Sequence, residues 1–362
     1  MARKPNPRKI ILPFGTGAIP DPKDERDYSY DMVASAAPVV IDWDKGFDIR
    51  NFIGGDINFK NQNQSSSCVG QGTSYYVWVK QIIEMMKKYS MDLDQLRISY
   101  PEEIDDASAK AIYSQISLGP GAGAYIRDGV KLLCEWGSVD NDIVPSNKPD
   151  GSSDEDFMRD KSWKTKEMDE LAKIFQGKDY RVINACQNMD LFAQAILENH
   201  GVVGGVEGAN NGTWMSERPQ PPIGERSEWA HCLYFGAFGK DENGKFIAFP
   251  NSWGNILGKT WFKGAPVGYG WQKIYINYFV DGGRWLFNPW TYTDSINPNK
   301  DMANTNVKVI KDSNSPAVGF WCPANNPDGM TAMARNFGID IPKKADDSID
   351  WDKLIQGTLT LE

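Results

Sequence analysis

Between Cys68 and Tyr89 the chain carries Val69, Tyr76, Trp78, Val79, Ile82, Ile83 and Met86 at helical recurrences. That pattern calls for a buried helix. It follows directly on the polar loop Lys60-Asn-Gln-Asn-Gln-Ser-Ser-Ser, whose Ser65–Ser67 are suitable helix caps. A second helix is predicted over 125–136, with Ile126, Val130, Leu133 and Cys134 on one face and Gly137 at its end. Residues 146–165 are polar and read as an inserted loop. A third helix is predicted over 189–199, ending at His200-Gly201 before a short strand at 202–206.

Beyond this point the pattern changes to strands. Residues 232–238 and 246–249 are apolar runs on either side of Lys240-Asp-Glu-Asn-Gly-Lys, and Asn243-Gly244 is a strong hairpin signal. Helices first and strands second predict an α+β protein with a helical half and a sheet half. With 362 residues, 41% hydrophobic and 24% charged, the chain can bury a sizeable core.

Residues 1–38 are punctuated by Pro5, Pro7, Pro13, Pro20 and Pro22 and read as an extended arm, either a disordered tail or a wrap over the surface. Globular patterning occupies residues 39–295. Residues 296–362 form an Asn- and Asp-rich extension with one predicted helix around 330–337, an appendage of unknown role suited to docking on a partner or a larger assembly.

The net charge of −9, with no basic stripe, argues against a nucleic-acid partner. No run is long and apolar enough for a membrane span, and the N-terminus lacks the apolar stretch of a secretory signal. Cys68, Cys134, Cys186, Cys232 and Cys322 are odd in number and scattered. They suit neither a disulfide framework nor a zinc site. A reducing, cytoplasmic setting or a place within an assembly is expected, with secretion left open. No metal or organic cofactor is implied.

Only His200 and His231 can serve a histidine-dependent mechanism. His200 sits where a helix ends, and the helix dipole favours a cation there without any function. His231 opens a strand. If 232–238 and 246–249 pair as one hairpin, residue 231 falls opposite the low 250s, where Asn251 stands. An Asn oxygen there can hold the imidazole while the other ring nitrogen faces a nucleophile. Cys68, at a predicted helix start, is the natural nucleophile, because helix N–H groups and a nearby imidazolium both favour the thiolate. Gln62, in the same loop, can donate to a developing oxyanion together with the Cys68 backbone N–H. The other cysteines read as inert.

Together these residues resemble the papain-like cysteine proteases (peptidase family C1). Gln62 stands six positions before Cys68, Ala230-His231-Cys-Leu-Tyr-Phe-Gly resembles the family's histidine block, and Asn251-Ser-Trp-Gly254 matches its asparagine block unchanged. Gly270-Trp-Gln-Lys-Ile274 resembles the strand that follows. The resemblance covers about residues 39–290. It implies a two-lobed fold, a helical lobe plus an antiparallel β-barrel-like lobe, with the site in the cleft between them. It implies a thiol peptidase with Cys68 as nucleophile, His231 as general acid/base, Asn251 as its orienting partner and Gln62 as oxyanion donor. Trp253 would shield the His231–Asn251 bond, and Gly121 and Gly123 would belong to a glycine-rich substrate wall. The expected partner is a peptide or protein substrate.

The chain departs from plant and lysosomal members at Val69, where they carry Trp, and at Ser65, where they carry a disulfide cysteine. The arm is too short and proline-broken for the family's helical propeptide. Two other functions fit less well: a non-catalytic structural or binding component on the same scaffold, and an acyl transferase using the same thioester chemistry.

Overall fold

The computed structural model describes residues 14–36, 39–185, 187–224, 226–279 and 285–296. The 296–362 extension lies outside them apart from Ile296 itself, as does the helix predicted around 330–337.

The helix Cys68–Tyr89 is the axis of the helical half. Every residue from Cys68 through Ile83 is buried, as expected of a helix enclosed on all sides. Two glycines let neighbours close on it. A Cβ at Gly70 would stand 2.7 Å from both the Ala109 carbonyl oxygen and the Tyr113 Cβ, on the helix Ala109–Ile116. One at Gly72 would stand 3.2 Å from Cys232 Sγ. The His231-bearing strand is thereby seated against the start of the Cys68 helix. The second and third predicted helices span Ile126–Glu135 and Met189–Asn199.

The sheet half contains two open four-stranded antiparallel sheets. One orders Gln176–Val182, Leu286–Ile296, Val202–Gly208 and Trp229–Phe235. The other orders Phe47–Asp48, Ala237–Asp241, Gly244–Phe249 and Gln272–Tyr275. The mixed helix-and-sheet architecture is the α+β, two-lobed one expected, and no closed barrel forms among the described residues.

The expected single hairpin is two elements. Trp229–Phe235 pairs with Val202–Gly208, the chain turns at Gly236, and only Ala237–Asp241 pairs with Gly244–Phe249 around Glu242 and Asn243. Gly236 bridges the sheets, its N–H donating to the Ala248 carbonyl at 3.2 Å. A Cβ there would meet Tyr234 at 2.7 Å and Ile49 at 3.0 Å, so the corner needs glycine.

The arm wraps the surface from Phe14 onward and is not wholly extended. Ala18–Ile19 pairs in parallel with Ala124–Tyr125, and Tyr30–Ala36 is helical. Asp21 anchors it, accepting from the Arg127 N–H (3.1 Å) and the Trp290 indole (2.7 Å). No helix among the described residues is long and apolar enough to cross a membrane.

Candidate active site

Cys68 is the first residue of its helix and fully buried. Ser67 occupies the cap position without a side-chain cap bond. Its hydroxyl instead pairs with Ser65 Oγ (2.8 Å) and accepts from Gln71 Nε2 (3.3 Å), so the serines brace the loop rather than cap the helix. The same loop is tied across the molecule. The Gln62 N–H donates to the Ser252 carbonyl at 2.8 Å, and Gln62 Oε1 accepts from Ser252 Oγ at 2.6 Å.

The polar segment 146–165 is more than an inserted loop. It contains the helix Glu155–Arg159, with Met158 buried beneath it. Glu155 accepts the Ser66 N–H at 2.7 Å and the Tyr113 hydroxyl at 2.7 Å. A carboxylate thus secures the backbone two residues before Cys68, a contact between segments 89 positions apart.

His231 Nε2 and Asn251 Oδ1 are 3.0 Å apart, and both residues are buried. The bond spans the corner at Gly236 through side chains, not through strand pairing. Trp253 stacks on the imidazole with ring centroids 4.8 Å apart, covering the pair. Burial pushes the His231 pKa down to about 4, only partly offset by the Asn251 bond. Its Nδ1 has no hydrogen-bond partner among the described residues. Asn251 Nδ2 donates to Gln272 Oε1 at 2.7 Å.

The arm lies over these residues. Gly15 offers its carbonyl to Gln62 Nε2 (2.9 Å) and the Trp253 indole (3.3 Å), while Phe14 stacks on Trp253 at 5.4 Å. Gly15 N–H donates to the Asn63 carbonyl at 2.8 Å, and Gly17 N–H to the Ala230 carbonyl at 3.2 Å. The fit excludes side chains: a Cβ on Gly15 would stand 2.0 Å from the Ser65 carbonyl oxygen, and one on Gly17 2.4 Å from that of Ser66. Burial pushes the Cys68 thiol up to about 12, although backbone N–H groups of Cys232, Gly17 and Val69 favour its thiolate. With the arm in place, neutral thiol and neutral imidazole are the stable forms.

Of the expected glycine wall, Gly123 meets the arm and Gly121 does not. A Cβ on Gly123 would lie 1.8 Å from the Gly17 carbonyl oxygen, whereas one on Gly121 would meet nothing within 4 Å. His200 is separate from these residues. It ends its helix in the left-handed region at φ +59° and packs on Phe52 at 4.8 Å. It is not the expected cation, because burial, then Lys80 and Lys87, lower its pKa to about 3.

Gly15, Gly17, Glu155 and Gln272 escaped the sequence reading. The first two had a signal, Gly15-Thr-Gly17 within a proline-rich arm; Gln272 and Glu155 had none.

Comparison by sequence finds no matching family model and no significantly similar curated protein. Comparison of structures is informative. The chain is similar to xylellain, a cysteine protease from Xylella fastidiosa, at 18% identity and TM-score 0.56, over 77% of this chain and 96% of that one. It is similar to procathepsin B S9 from Trypanosoma congolense at 11% identity and TM-score 0.52, over 78% and 87%. It is also similar to digestive procathepsin L 3 of the Tenebrio molitor larval midgut at 12% identity and TM-score 0.51, over 77% and 76%. The chain therefore has the papain-like fold.

Proposed function

We propose that this papain-fold chain is a thiol peptidase that cleaves peptide bonds through an acyl-enzyme on Cys68. The observation that carries the reading is the seat of Gly15: a peptide carbonyl rests 2.9 Å from Gln62 Nε2, in the loop that leads into Cys68. A site that accepts peptide backbone beside a thiol and an Asn-held imidazole suits acyl transfer from a peptide.

In this reading, the imidazole nitrogen not engaged by Asn251, Nδ1, takes the Cys68 proton. The thiolate attacks the scissile carbonyl carbon. Gln62 Nε2 and the Cys68 backbone N–H stabilise the oxyanion. The imidazolium protonates the leaving amine as the C–N bond breaks, leaving a thioester. The same imidazole then deprotonates a water that hydrolyses it, restoring the thiol. Trp253 keeps water from the His231–Asn251 bond, and Gly123 lines the peptide's path.

The burial of both Cys68 and His231 would also suit a non-catalytic scaffold that docks on a partner. Reaction with an epoxide thiol-protease probe across pH 5–8, with adduct mapping by mass spectrometry, separates the two. Selective labelling of Cys68 that is lost in His231→Ala supports the peptidase. A thiol that stays inert when the arm is displaced would sink it.

A further inference from the structure

We propose that Gln272 is a positioning residue that sets which nitrogen of His231 carries the proton, acting through Asn251; this deepens the reading of His231 as the base. Asn251 and Gln272 are each 2% exposed, so their amide groups must find partners within the protein. An amide has one end that only donates and one that only accepts. A chain of such groups therefore transmits direction.

The chain begins in the backbone. Gln272 Nε2 donates to the carbonyls of Trp214 (2.7 Å) and Ser216 (2.8 Å). Carbonyls only accept, so these two admit the NH2 end of Gln272 and reject its oxygen. Gln272 Oε1 is thereby aimed at Asn251, where it accepts from Nδ2 at 2.7 Å. Asn251 cannot flip without setting oxygen against oxygen. Its Oδ1 is left for the ring, 3.0 Å from His231 Nε2. Because Oδ1 only accepts, Nε2 must hold the proton, and Nδ1 keeps the lone pair that a base requires. The orientation of an amide on the strand Gln272–Tyr275, itself paired to Gly244–Phe249, thus fixes the tautomer on a different sheet.

Without Gln272 the Asn251 amide loses its acceptor and with it the reason for one orientation. Rotated by half a turn, its Nδ2 would face Nε2, and the ring proton would move to Nδ1. The imidazole would stay in place but present the wrong nitrogen.

The test reads the ring directly in the full-length protein. The chain has two histidines, and His200→Asn, which suits the left-handed cap, leaves one imidazole for 15N NMR. In this background His231 is expected as a single Nε2–H tautomer. Gln272→Met removes the acceptor at similar length, and the ratio of the two tautomers should fall roughly tenfold or more, as for one lost buried hydrogen bond. Gln272→Glu, held protonated by burial against the two carbonyls, donates its O–H to one of them, keeps an acceptor for Asn251 and should retain the Nε2–H form. A ring unmoved by Gln272→Met overturns the proposal, as does an equal shift in both variants, or a wild-type ring protonated on Nδ1. Should Gln272→Met not fold, Gln272→Asn, one methylene short of reaching both the carbonyls and Asn251, is read in its place, and a ring unmoved there overturns the proposal. These signals do not depend on turnover, so an inactive protein with the expected tautomers would count against the peptidase reading only.

Discussion

The carbonyl oxygen of Gly15 is held by the Gln62 side-chain amide at 2.9 Å, so the loop that leads into Cys68 is also the seat of the N-terminal arm. Two consequences follow for reactivity: the thiol is closed off from solvent, and it is kept neutral by its burial.

Displacing the arm should therefore activate the cysteine. Gly17→Val puts side-chain atoms where even a Cβ would stand 2.4 Å from the Ser66 carbonyl oxygen. Iodoacetamide alkylation of Cys68 at pH 7.5, followed by mass spectrometry, should be at least roughly tenfold faster than in the wild type, because reactivity follows thiolate fraction and access. An unchanged rate in a variant with a native circular dichroism melt would show that the arm does not gate the site.

In the same Gly17→Val background, turnover of a peptide substrate pool should depend on both members of the pair. Cys68→Ala and His231→Ala should each reduce it by on the order of a thousandfold or more, and the double variant should lose little beyond that, since such residues act as a unit. Additive, modest losses would argue for separate structural roles.

His231 should make folding acid-sensitive. Its folded pKa of about 4 lies below the ordinary 6.5, so the unfolded chain takes up the proton first. Its contribution is whole above pH 6.5 and is lost as pH falls toward 4, by up to about 3 kcal/mol. Urea unfolding at pH 7 and pH 4.5 should show a larger loss in wild type than in His231→Gln. Equal losses would mean that the buried ring accepts a proton in the folded state.

Asp140 should act in the opposite sense. Burial, then Asp142 and Asp105, raise its pKa to about 7, so its stability contribution is present below the ordinary carboxylate range and lost as pH rises through 7. Asp140→Asn should raise the melting temperature at pH 8, with the gain shrinking by pH 5. A lower melting temperature at pH 8 would show that the ionised carboxylate is favourable there.

Periodicity alone made the Cys68–Tyr89 helix legible, because apolar residues on all its faces leave no other use for the segment. The Met189–Asn199 helix and the hairpin signalled by Asn243-Gly244 were readable for similarly local reasons: a stop at His200-Gly201 and a turn dipeptide. The types and order of Gln62, Cys68, His231 and Asn251 carried the resemblance and made the candidate site legible, since few other roles suit that set. Tertiary structure decided the rest. That the strand bends at Gly236 into a second sheet, so that His231 meets Asn251 by side chain, depends on what crowds that corner. That Glu155 holds Ser66 and that Gln272 faces Asn251 are hydrogen bonds between segments with no local pattern to announce them. The arm's path is the clearest case. Prolines reveal a segment that forms no long helix, but only the folded groove, too narrow for a Cβ at residues 15 and 17, shows where that segment lies.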